Sequence, residues 1–159
     1  MKAKLGLVCL FLSIGTVGCG GGGSGDLDLP SINNQEDIGL EGRWLSNCAY
    51  FKDDNTYYID LVEFDGDQVT VESDYWDNQY CAGSPEESYL LEGTFSVGSE
   101  IRTSSGVDAH EITFNFTDPD GAITISGAVL VENTVLYFGM EDTASGLPQI
   151  NYNAVYTKQ

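Results

Sequence analysis

Basic residues are scarce. Six Lys and Arg stand against 25 Asp and Glu in 159 residues, a formal net charge of −19. Nucleic-acid binding needs clustered Lys and Arg to neutralise phosphates, so that class is excluded. One His and 4 Cys are too few for a zinc finger or ribbon, and no metal or cofactor is expected. No apolar run reaches the roughly 20 residues of a membrane-spanning helix. The length leaves no room for a multidomain enzyme. What the chain does have is 42% apolar residues with 11% aromatic, too much for a disordered polymer.

Lys2 and Lys4 precede an uncharged apolar run, Leu5 to Val17, which has the build of a secretory signal. It closes on Thr16-Val17-Gly18-Cys19. This resembles the lipobox of bacterial lipoproteins, where a small residue precedes a Cys that is lipidated and becomes the mature N-terminus. Thr16 stands where that motif usually has Leu. The resemblance implies a lipid anchor on Cys19; the alternative is an ordinary cleaved signal with an incidental Cys. Gly20-Gly21-Gly22-Gly23-Ser24-Gly25 is a flexible tether that lets an anchored domain stand off the membrane. Several acyl chains on one Cys give stable anchoring. Gly20 follows the Cys where inner-membrane retention in known lipoproteins favours Asp, which points to the outer membrane of a Gram-negative cell. The expected organisation is a signal at 1–18, a lipidated Cys and linker at 19–38, and a folded domain at 39–159.

Cys9 leaves with such a signal and Cys19 carries lipid, so Cys48 and Cys81 remain. In an oxidising envelope two leftover Cys form one disulfide. Their spacing is not the Cys-x-x-Cys of a redox site. Removing Lys2 and Lys4 leaves 4 basic residues against 25 acidic ones, a mature charge of −21. Such charge repels anionic lipid surfaces and attracts cations; adaptation to a salty habitat is the plainer account of it.

From Leu40 onward apolar and polar residues alternate, with turn residues at short intervals. Ile112, Phe114 and Phe116 share one face of a strand, with Glu111, Thr113 and Asn115 on the other. Asp118-Pro119-Asp120-Gly121 reads as a turn and Ala122 to Val131 as the returning strand. Further strands are expected at Gly42–Phe51, Thr56–Phe64, Gln68–Trp76, Ser88–Val97, Thr134–Met140 and Asn151–Thr157. Glu100–Thr103 reads as a short strand or the start of the one containing His110, and Thr143–Gln149 as a loop. Gly93, inside the fourth strand, marks a bulge or a tight bend. Eight sequential strands predict an all-β, antiparallel up-and-down barrel, because closing such a sheet removes its edges. A two-sheet β-sandwich is the competing arrangement.

Leu40-Glu41-Gly42-Arg43-Trp44 carries a Gly-x-Trp element. Together with Cys48, with Tyr75 followed by Tyr80-Cys81, and with Glu92-Gly93-Thr94-Phe95-Ser96-Val97-Gly98, it resembles small lipocalin-like, calycin-type bacterial lipoproteins of unassigned role. The resemblance implies a lipocalin-like barrel, with Gly42 bending the chain and Trp44 plugging the closed end. The chain departs from true lipocalins in having no Thr-Asp-Tyr. It also places no basic residue securely on the last strand to stack on the Trp: Lys158 lies close to the end but is not the expected Arg. Avidin-type biotin sites use several Trp, whereas only Trp44 and Trp76 exist here.

Little in the sequence carries catalysis. His110 is the single His, on the apolar face of its strand, and no Gly-x-Ser-x-Gly elbow occurs. Asp65-Gly66-Asp67 and Asp118-Pro119-Asp120-Gly121 lack the spacing of a helix-loop-helix calcium loop. A non-enzymatic binding protein is therefore expected. In the first reading the barrel holds a small apolar or amphipathic ligand, lined by Tyr89, Leu91, Phe95, Ile112, Phe114, Phe116, Ile123, Ile125 and Phe138; the same residues would also serve as plain filling. In the second, the acidic exterior, with Tyr57, Tyr58, Tyr75 and Tyr80 exposed, binds a cationic envelope protein, as an inhibitor or scaffold.

Overall fold

The computed structural model of the chain describes residues 38–52, 54–118, 121–142 and 146–159. The expected signal, Cys9, Cys19 and the Gly-rich tether lie outside the described residues, as do Pro119 and Asp120 of the expected turn.

Ten strands form: β1 (Gly42–Ser46), β2 (Ala49–Phe51), β3 (Thr56–Asp65), β4 (Gln68–Trp76), β5 (Glu87–Arg102), β6 (Asp108–Asp118), β7 (Gly121–Glu132), β8 (Val135–Asp142), β9 (Leu147–Ile150) and β10 (Tyr156–Lys158). Each of β3 to β8 pairs antiparallel with its sequence neighbour. β1 pairs with β3 on one side and β10 on the other, and β10 pairs with β8. That circuit closes an eight-stranded barrel, and an all-β, up-and-down barrel is what alternation and strand count predicted. β2 continues the line of β1 along β3, and β9 adds to β8.

Strand alternation puts Tyr58, Asp60, Val62 and Phe64 of β3 on the inner face, with Val69, Val71, Ser73 and Tyr75 of β4 beside them. Outward positions carry Glu63, Glu72, Thr94, Ser96 and Asn115, all exposed. An apolar inside and a polar outside are the inverse of a transmembrane barrel, whose outer band must face lipid.

Several strand boundaries differ from expectation, each for a local reason. The first strand breaks at Asn47-Cys48 because Asn47 is engaged sideways. Its N–H donates to the Val155 carbonyl (2.9 Å), its Oδ1 accepts from the Val155 N–H (2.6 Å), and its Nδ2 donates to the Asn153 carbonyl (3.1 Å). The expected last strand, Asn151–Thr157, is broken by that clamp, so ladder pairing starts only at Tyr156 and runs to Lys158. Residues 147–149, the described end of the segment expected as a loop, belong to a strand, β9; Pro148 is tolerated there because β9 pairs on one side only. Glu100–Arg102 is neither separate nor part of the His110 strand but the end of β5, after a register shift between Val97 and Glu100. Gly93 is not the bulge: it sits where the Asn115 backbone carbonyl lies 2.2 Å from the place a Cβ would occupy. The approach of β6 to β5 therefore requires Gly there.

Candidate functional site: the two ends of the barrel interior

One end of the interior is sealed. Trp44 is fully buried, and its indole N–H donates to the Leu40 carbonyl at 2.6 Å. Phe64 and Phe95 meet edge to face at 4.8 Å, beside buried Val69. Gly42 takes φ +106° as the chain enters β1, with Lys158 Cε 3.5 Å from its missing Cβ. Lys158 Nζ lies 5.1 Å from the centre of the Trp44 ring. A basic residue of the last strand therefore does cover the Trp, a place the sequence left unfilled because the strand was drawn one residue too short.

The opposite end, where β2 turns into β3 and β4 leads toward β5, is built differently. The Cys48–Cys81 disulfide ties the break after β1 to the loop following β4, with Cα atoms 5.8 Å apart. The Trp76 indole N–H donates to the Gly83 carbonyl at 3.2 Å and holds the same loop. Below it, Tyr58, Tyr75 and Tyr89 form a half-buried aromatic layer, Tyr58 and Tyr75 at 6.2 Å and Tyr75 and Tyr89 at 5.6 Å between centroids. Tyr58 and Tyr75 are thus not the exposed residues the sequence suggested, and Tyr57 is half-buried too; of that set Tyr80 alone is exposed, at 76%.

Beneath these rings lies a buried carboxyl. Asp60 is 8% exposed. Ser73 Oγ donates to its Oδ1 at 2.6 Å, the Tyr156 hydroxyl donates to its Oδ2 at 2.7 Å, and its own N–H donates to Ser46 Oγ at 2.8 Å. Burial pushes the Asp60 carboxyl above the usual carboxylate range; the hydrogen bonds from Ser73 and Tyr156 pull the other way and do not cancel it. Burial, followed by the negative charge of Asp60, likewise drives the Tyr156 phenol well above its ordinary value. Neither ion pair seen among the described residues reaches Asp60: Arg43 meets Glu63 at 3.6 Å and Arg102 meets Asp108 at 2.9 Å, both on the exposed surface.

Asp60 and Tyr156 border a cavity of about 30 Å³. Val62, Val71 and Leu91 form one wall, and Phe114, Phe116 and Phe138 the other. That is room for roughly two waters, against the roughly 300–1,000 Å³ of a site for a drug-sized ligand. Of the expected lining, Leu91, Phe114, Phe116 and Phe138 do border it. Phe95, Ile112 and Ile125 are buried and Ile123 packs against them as filling, while Tyr89 belongs to the layer of tyrosines. His110 stands opposite Glu100 and Val129 and does not border the cavity. The sequence reading missed Asp60, Val62, Val71 and Tyr156. The signal was present: in Tyr58-Ile59-Asp60-Leu61-Val62 the acid holds an inward register position between an aromatic and a Val.

Among the described residues no group of three or more His, Cys, Asp or Glu converges as a metal site. No helix there is long and apolar enough to cross a membrane. No protein-family model, no curated protein and no solved structure matches the chain.

Proposed function

We propose that this is a non-enzymatic, lipocalin-like binding protein whose barrel takes a small polar-ended molecule at the disulfide end. The observation that carries this reading is the cavity beside Asp60: apolar walls adjoin a carboxyl that, among the described residues, is the one acid buried in the barrel. Sites of this kind combine apolar walls with a few convergent polar groups. The volume sets the scale of the ligand, since only a group of a few atoms enters unless side chains move. Protein purified gently from its native membrane should release, on denaturation, a small molecule in stoichiometric amount by mass spectrometry. A Val71→Phe variant, which fills the gap, should lose it; a wild-type protein with no bound molecule, and no uptake from an envelope extract, would contradict the reading.

The same reading places the protein on a lipid anchor at Cys19, in the outer membrane of a Gram-negative bacterium, with the Gly-rich segment as its tether. Labelled palmitate should appear in the wild type, and a Cys19→Ser variant should move to the soluble fraction. A second reading, docking of a cationic envelope protein, is favoured by Tyr80 and Tyr50, exposed at 76% and 51% next to the disulfide of a chain with net charge −19. Capture of such a partner should fall steeply with added salt.

A further inference from the structure

The ligand's chemistry can be read from what Asp60 lacks. A carboxyl this deeply buried is pushed toward its neutral form unless a cation sits beside it, because an uncompensated charge away from water is costly. The chain's described basic residues stand elsewhere: Arg43 meets Glu63, Arg102 meets Asp108, Lys158 lies over the Trp44 ring, Lys52 is exposed in the turn after β2, and His110 does not border the cavity. Asp60 has hydrogen-bond donors, Ser73 and Tyr156, but among the described residues no cation faces it. The gap beside it, about 30 Å³, has room for roughly two waters and so for a head group of two heavy atoms such as methylammonium. Across the gap stand aromatic rings: Phe114 lies 5.7 Å from Phe116 and 5.8 Å from Phe138, and Phe138 lies 5.1 Å from Tyr156. Ring faces attract cations, and more strongly where water is excluded.

We infer that the cavity beside Asp60 receives the protonated head of a small primary amine, with Asp60 as its counter-ion and the phenylalanine rings as its walls. This rests on the small-ligand reading above and narrows it. Fatty acids and other anions fit poorly, because a carboxylate beside Asp60 would be a buried negative charge that no cation among the described residues faces. A net charge of −19 enriches cations around the molecule before any enters. Tyr58, Tyr75 and Tyr89 then lie on the side from which the amine's tail would leave.

The test is a titration of the purified protein with n-butylammonium, n-butanol and butyrate at about physiological salt, followed by amide shifts of Asp60, Val62, Val71 and Leu91. Tetrabutylammonium, too large for the cavity, controls for cations held by the acidic surface. The expected result is n-butylammonium binding at least tenfold more tightly than n-butanol, with butyrate and tetrabutylammonium leaving those shifts unmoved. In Asp60→Asn the preference for the ammonium over the alcohol should vanish. Tyr156→Phe, which keeps the charge, should retain it, so that a folding defect in the first variant does not decide the matter. Equal binding of alcohol and ammonium overturns the amine inference and leaves the small-ligand reading standing. No binding by any of the three four-carbon probes overturns both. Tetrabutylammonium matching n-butylammonium assigns the effect to surface charge and overturns the inference.

Discussion

The two ends of one barrel solve the problem of filling an interior in opposite ways. At the sealed end an indole, two phenylalanines and a valine close the space, and the indole's one polar group is satisfied by the Leu40 carbonyl. At the disulfide end the inner face carries a carboxyl, two serine hydroxyls and tyrosines, and a gap remains. Hydrophobic burial alone is a sufficient account of the first. The second keeps polar groups where apolar ones would pack at lower cost, so it is the end where function is to be sought.

Mutations should separate the ends by magnitude. Trp44→Ala removes a fully buried side chain and should cost about 3–5 kcal/mol in denaturant unfolding. Tyr89→Ala, half-buried at the other end, should cost about 1–2 kcal/mol. Equal losses would erase the contrast. Replacing both Cys48 and Cys81 by Ala should cost about 3–4 kcal/mol, since the bond closes a loop between residues 33 apart.

Asp60→Asn sharpens the comparison through pH. Because burial raises the Asp60 pKa in the folded state, its folded form favours the protonated acid. Its contribution to stability is greatest below the unfolded carboxyl's pKa and is lost as pH rises through the folded value. The Asn variant does not titrate, so its stability relative to wild type should climb over that window and then level off in urea unfolding. Arg43→Ala gives the smallest effect, below about 0.5 kcal/mol, because its pair with Glu63 is more than half exposed at both partners.

The barrel was legible in the sequence because its signal is periodic: inward Ile112, Phe114 and Phe116 alternate with outward polar residues, and β3 and β5 repeat the pattern. Cys48 and Cys81 were legible by elimination. The breaks in the first and last strands were not, because they depend on Asn47 meeting Val155, a contact more than 100 residues apart. The candidate site was half legible for a related reason. Apolar positions on the strands reveal which residues point inward, and so gave Leu91, Phe114, Phe116 and Phe138. They do not reveal which level of the barrel is left unfilled, nor that Tyr156 of the last strand would reach Asp60 across the closing seam.

The account depends above all on Asp60 being a desolvated acid that no cation among the described residues faces, held by the hydroxyls of Ser73 and Tyr156. Side-chain carboxyl carbon NMR of the labelled protein, followed across pH, reads this directly. The Asp60 resonance should titrate above the ordinary carboxylate range and move to lower pH when n-butylammonium is added. An Asp60 signal titrating within the ordinary carboxylate range, and indifferent to the amine, would contradict it.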